Sequence, residues 1–164
     1  MLAVCARFEY QRHHCRSASK ETIRALFDDD ATIFWVDWRE DEADIVRYCE
    51  TVLRTGSLTA EWVRAATTPR GSDLFISYSG KRIRAPFING YEDRHIALHA
   101  LNQALAPDYE VRFCIDSAGS DTLAFLPLPS ATWGQLEDRY GAAVSRHFYR
   151  LTERPNLFTD SLPF

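Results

Sequence analysis

The run Tyr109–Leu128, YEVRFCIDSAGSDTLAFLPL, constrains the fold most. Val111, Phe113 and Ile115 alternate with Arg112, Cys114 and Asp116, which is the period of a half-buried strand. Asp121–Leu126 is a second β-type run. Between them stands Ser117-Ala118-Gly119-Ser120, a stretch of turn-forming residues, so the spacing predicts a hairpin. Asp116 and Asp121 stand at its mouth. Paired carboxylates can hold Mg²⁺ or act as acid and base. Asp and Ser at a hairpin mouth also bond nearby backbone amides, and a partner could contact them. The turn role fits these residues best.

Thr32–Trp38 (TIFWVDW) is nearly continuously apolar, as a strand buried on both faces reads. In Glu40–Arg54, Ile45, Val46, Cys49, Val52 and Leu53 keep helical spacing, while Glu40, Asp44, Arg47, Thr51 and Arg54 line the other side. Gly56 is placed to end that helix. Short helices are expected over Ser19–Asp28 and Ser57–Ala66, and a hairpin over Leu74–Tyr78 and Lys81–Phe87 across Ser79-Gly80. Asp93–Leu105 reads as a helix stopped by Pro107. Ser130 stands as N-cap to a last helix with the stripe Trp133, Leu136, Tyr140, Val144, Phe148 and Leu151, which Gly141 can split.

The second half is therefore hairpin–helix–hairpin–helix. The predicted class is α+β, one mixed, largely antiparallel sheet of about five strands packed against helices. A chain of 164 residues suggests one globular domain, placed at 18–152, with an N-terminal extension over 1–17 and a tail over 153–164. Leu157, Phe158, Leu162 and Phe164 in that tail can pack back. A chain of this size buries roughly 70% of its unfolded surface and needs neither disulfide nor metal to fold. Cys5, Cys15, Cys49 and Cys114 form no C-x-x-C pair and read as reduced thiols, Cys49 and Cys114 as core residues.

Charge is polarised along the chain. Residues 1–20 carry Arg7, Arg12, Arg16 and Lys20 against Glu9, a net +3. Residues 28–50 carry nine acids against Arg39 and Arg47, a net −7. Such a patch repels nucleic acid and steers a basic partner towards itself, although a solvated helix face would look the same. Acids in the first turn of Glu40–Arg54 also suit the helix dipole. Met1–Ala6 is apolar but too short for a secretory signal, and no run reaches the ~20 apolar residues of a membrane span. A cytoplasmic protein with no membrane contact is expected.

Reaction signatures are missing. There is no G-x-S-x-G, no phosphate-binding loop and no G-x-G-x-x-G. His95 and His99 have the i, i+4 spacing of a zinc pair, but Ile96 stands where a metalloprotease needs Glu, and no third ligand is evident. Cys5, His13, His14 and Cys15 match no structural zinc pattern. Neither set supports a metal, and no cofactor is expected.

Asp93-Arg94, Leu101-Asn102, Leu105–Arg112, Gly119–Phe125 and Trp133, with the acidic stretch Trp35–Tyr48, carry a resemblance. Over residues 30–150 the chain resembles small bacterial proteins similar in kind to the immunity partners of toxins delivered by type VI or contact-dependent systems. The resemblance implies a cytoplasmic inhibitor, monomer or homodimer, that binds and occludes a cognate protein toxin. The basic N-terminus departs from a uniformly acidic profile. Partner contact is assigned to Asp37, Glu40, Asp41, Asp44 and Arg47 first, then to Asp116 and Asp121. A secretion chaperone or adaptor is the alternative, and a hydrolase using Asp116 and Asp121 a further one.

Overall fold

The computed structural model describes residues 31–162 apart from 67, 69 and 88–92, and over them the chain is α+β. Strand β1 (Phe34–Asp37) leads into helix α1 (Glu42–Leu53) and strands β2 (Thr59–Arg64), β3 (Ser72–Tyr78) and β4 (Lys81–Arg84). Helix α2 (Asp93–Leu105) precedes β5 (Tyr109–Cys114) and β6 (Thr122–Pro129), which helix α3 (Ser130–His147) and the short strand β7 (Phe148–Arg150) follow. All pairings are antiparallel, and the strands divide into two sheets, β1-β6-β5-β7 and β2-β3-β4, where one sheet was expected.

The predicted hairpin Tyr109–Leu128 is the spine of the larger sheet. Phe113 lies opposite Phe125 and Tyr109 opposite Pro129, with a turn of 3-10 helix over Ile115–Ser117 at the mouth. Pleating sends Val111, Phe113, Leu123 and Phe125 to one face, where they join Phe34 and Val36 of β1 against α1 and α2. Phe34 stacks on Phe125 at 5.5 Å. The other face carries Cys114, Ala124 and Leu126 and is covered by Trp133, Leu136 and Val144 of α3. The layers therefore run α3, four-stranded sheet, α1 with α2, three-stranded sheet. Alternation put Arg112 on the polar side of a half-buried strand, but α3 roofs that face and Arg112 is buried; Cys114 is buried beside it, as its reading as a core residue expects.

The predicted helix Ser57–Ala66 is instead strand β2. Thr59, Trp62 and Val63 suit a pleated surface, and pairing with β3 sets Ala60 opposite Ile76 and Trp62 opposite Leu74, so that both pack on the core. Helix α1 ends on Arg54, not Gly56. Arg54 takes the left-handed conformation (φ 54°) and its N–H donates to Glu50 O, while the Glu50 carboxylate accepts from Thr55 Oγ1 and Gly56 N. The helix-ending αL residue thus falls two residues before the glycine, which itself also has positive φ (73°).

Ser130 is the first residue of α3 and not its N-cap; its N–H donates to Asp108 O at 2.9 Å. Helical geometry breaks at Tyr140 (φ −137°, ψ 26°), beside Gly141. The predicted stripe runs past the helix, because Phe148 lies on β7 and Leu151 beyond it, though both are buried. Leu157 and Phe158 in the tail are buried in the α1–α2 core. The N-terminal extension 1–17, the helix expected at Ser19–Asp28 and Phe164 lie outside the described residues.

Candidate functional site

The acidic stretch is built into a ridge. Asp41 caps α1, its Oδ1 accepting from Ala43 N at 2.8 Å, and Glu42 and Asp44 follow in the first turn where the helix dipole favours negative charge. Ile45, Val46 and Cys49 anchor the inner side, leaving Arg47 and Thr51 exposed and Asp44 and Tyr48 half-buried. On one flank, a cleft of about 280 Å³ between β1 and α1 is lined by Phe34, Trp35 and Val52 on its apolar part and by Asp37, Glu40 and Tyr48 on its polar part. On the other, a cleft of about 250 Å³ between α1 and β2 is lined by Asp44, Arg47, Glu50, Leu58 and Ala60.

Five of the assigned contact residues gather here. Asp37 Oδ1 accepts from Arg39 N at 2.7 Å, and Glu40 Oε1 accepts from the Tyr48 hydroxyl at 2.9 Å. That hydrogen bond, with desolvation, pushes the Tyr48 pKa up. Asp41 also accepts from Trp62 Nε1 at 3.3 Å, tying the start of α1 to β2. Asp44 and Arg47 pair with each other one turn apart. Beside Asp37, Trp38 is 44% exposed, the exposed large hydrophobic residue of the described chain, and meets Phe158 edge-on at 5.7 Å.

The hairpin mouth is divided between two surroundings. Asp121 is exposed and precedes Thr122, which lies opposite Asp37 and lines the first cleft, so Asp121 adjoins the ridge. Asp116 Oδ2 instead meets His147 Nδ1 at 2.7 Å, at the end of α3. The turn itself is served by Ser117, whose hydroxyl donates to Cys114 O (2.7 Å) and accepts from Ala124 N (2.9 Å). The expectation that the two acids hold the turn is corrected: a serine holds it.

His95 is buried in a structural position. Its Nδ1 accepts from Leu157 N at 3.4 Å, which leaves Nε2 to donate to Thr152 O at 2.8 Å, and burial lowers its pKa. His99 is half-buried one turn on, and among the described residues no group of three or more His, Cys, Asp or Glu could hold a metal ion. Cys5, His13, His14 and Cys15 lie outside the described residues. Cys49 and Cys114 are free thiols whose pKa burial pushes up.

Two charged clusters were missed by sequence reasoning. Arg70 bridges Glu42 (3.2 Å) and Asp93 (3.1 Å), the first residues of α1 and α2, with its guanidinium 5.1 Å from the Trp62 ring centre and 5.2 Å from that of Phe87. Arg112 of β5 pairs with Glu110 (2.9 Å) and Glu137 (2.7 Å) and lies 4.1 Å from the Trp133 ring centre. Arg150, opposite Arg112 on β7, pairs with the same two carboxylates, and Arg112 above all holds the Glu137 pKa down. The signal was a charge on an apolar stripe: Glu42 precedes Ile45, Val46 and Cys49 at helical spacing, and Asp93 precedes Ala97, Ala100 and Leu101.

The ridge can attract and seat cationic groups, with apolar surface in both flanking clefts. Comparison with protein-family models, curated proteins and solved structures found no match for the chain. No described helix is long and apolar enough to cross a membrane.

Proposed function

We propose that the chain is a binding protein of the immunity type, which docks a basic cognate toxin on the α1 ridge and blocks it by occlusion. The observation that carries this reading is the gathering of Asp37 and Glu40 at one cleft and Asp44 and Glu50 at the other, with Asp41 capping α1, against Arg39 and Arg47. A field of one sign steers encounter, and clefts with apolar walls give the contact its buried area. Trp38 adds the exposed aromatic residue that interface hot spots favour.

The test is co-expression with the protein encoded beside this chain. If that protein is toxic, the wild type should restore growth and a D37K/E40K/D44K variant should not, with circular dichroism confirming its fold. Asp41 is left intact because it caps α1. Equal protection by the charge-reversed variant removes the ridge as the docking surface. A bound neighbour that is harmless and exported favours the chaperone or adaptor reading instead.

A further inference from the structure

The three-stranded sheet ends at β2 on an edge that its own ladder leaves open. Ala65 N donates to Gly71 O and Ala85 N to Leu74 O, each across a pair of opposed residues, and these two bonds fix the alternation on both sides of β3. Thr59, Glu61 and Val63 therefore bond to β3, while the backbone N–H and C=O groups of Ala60, Trp62 and Arg64 point away from it. Among the described residues no hydrogen bond takes up those backbone groups. Beside this edge lies the cleft of about 250 Å³, walled by Leu58 and Ala60 on one side and by Ala43, Val46, Arg47 and Glu50 of α1 on the other. The four α1 residues keep i, i+3, i+4, i+7 spacing, so one face of the helix forms the wall. Helix and edge run side by side in opposite directions: Asp41 meets the Trp62 indole at one end, and Glu50 holds Gly56 N at the other. From Ala43 to Glu50 the helix rises roughly 10 Å, the length of about three strand residues.

We infer that this lane receives an extended segment of the docked partner, which adds to the sheet as a further strand beside β2. The inference rests on the proposed function, since it names how the partner's backbone engages the flank of α1. Extended backbone is what the edge recognises, because its donors and acceptors repeat at strand spacing. Ala60 and Trp62 turn their side chains to the core side of the sheet, so residues paired with them antiparallel turn theirs the same way, onto Ala43 and Val46. Asp44 lines the same cleft and belongs to the acidic stretch, so the segment that fits is apolar towards α1 and basic elsewhere. A second copy of the chain fits less well. Antiparallel pairing of β2 with its copy sets the strands about 4.8 Å apart with both α1 helices on one side, where helices need roughly 8–10 Å. The opposite edge, β4, carries Lys81, Arg82 and Arg84, charges of the kind that deter pairing.

The probe is the acetylated amide of Lys-Val-Lys-Val-Lys-Val, titrated into the full chain and followed by shifts and amide exchange in NMR. In the free chain the Ala60 and Trp62 amides should exchange at least tenfold faster than those of Glu61 and Val63. The peptide should bind saturably and slow both at least tenfold. A60P removes one edge donor without touching the β3 ladder, and A43Q fills the lane from the helix side; each should weaken binding at least fivefold, with circular dichroism confirming the fold. N-methylation of the valines, whose N–H groups meet β2, should abolish binding, and N-methylation of the lysines should spare it. Several results would overturn the inference: Ala60 and Trp62 as slow as Glu61 in the free chain, no saturable binding, or indifference to which residues are methylated. Protection that rises with chain concentration in the absence of peptide would do the same, because the occupant would then be a second copy. The two readings fail separately. Strand pairing at β2, with full protection by the charge-reversed variant, sinks only the ridge as toxin surface. Protection that needs the acids, without strand pairing, sinks only the edge.

Discussion

Replacing Arg70 by Met tests a contact that ties together the first residues of α1 and α2. Arg70 holds two carboxylates that are almost wholly buried, Glu42 at 4% and Asp93 at 2% exposure, while its own side chain is 33% exposed. Methionine keeps much of the stem on Trp62 and Phe87 and deletes only the charge. Removing one partner of a buried pair costs ~3–5 kcal/mol, because the remaining charge stays desolvated. The exposed third of Arg70 already lets water screen the pair, which brings the expectation to ~2–4 kcal/mol. At ~2–4 °C per kcal/mol for a chain of this size, Tm should fall by ~4–16 °C. Urea unfolding followed by tryptophan fluorescence reads the free energy, with Trp62 beside the lesion. The triple variant E42Q/R70M/D93N should regain part of the loss, since both carboxylates that Arg70 neutralises are then uncharged. A cost below ~1 kcal/mol for R70M, or a triple variant worse than R70M, would refute the reasoning.

Two further outcomes follow from burial. His95 has a folded pKa below the ~6.5 of an unfolded histidine, so the unfolded chain takes up a proton first as pH falls. Its contribution to stability is whole above ~6.5 and is lost progressively below it; urea midpoints from pH 7.5 to 5 should decline, and H95Q should flatten that slope, whereas an unchanged slope would separate His95 from the acid response. Cys49 and Cys114 are buried with raised thiol pKa values, so alkylation of the native chain mapped by mass spectrometry should leave both unmodified until denaturant is added. Modification of either at native rates comparable with a free thiol would contradict their burial.

What was legible in the sequence was local periodicity. The β5–β6 hairpin, α1 and α2 all stand within a few residues of their predicted places, because each carries its own period and turn chemistry. What was not legible was how the layers stack. Both faces of β5–β6 are covered, so Arg112, which alternation would send to solvent, lies under Trp133 with two carboxylates. Strand β2 was read as a helix because Ser57–Ala66 is short and its stabilising partner, β3, is distant in pattern if near in space. The ridge was visible as charge, but its adjacency to Asp121 depends on β1 pairing with β6, which no local pattern encodes.

That adjacency also sorts the acids by what they cost to change. The Asp41 carboxylate accepts from the Ala43 amide of α1 and from the Trp62 indole, so D41A should cost ~1 kcal/mol or more, as lost N-caps do. Asp37 and Glu40 are different. Each uses one oxygen as an acceptor, for Arg39 N and for the Tyr48 hydroxyl, and Asn or Gln supplies the same carbonyl oxygen. A D37N/E40Q variant should therefore lie within ~0.5 kcal/mol of the wild type in urea unfolding, as surface substitutions usually do. It would also relieve repulsion within the acidic stretch, so the wild type should gain more stability than the variant between 10 mM and 200 mM salt, where screening becomes effective over roughly 10 Å. A loss above ~1 kcal/mol in the variant would mean that these carboxylates hold the fold, and their charge would then be structural. Near-equality leaves two acids that the fold does not require beside an apolar cleft, which is what a surface kept for a cationic partner predicts.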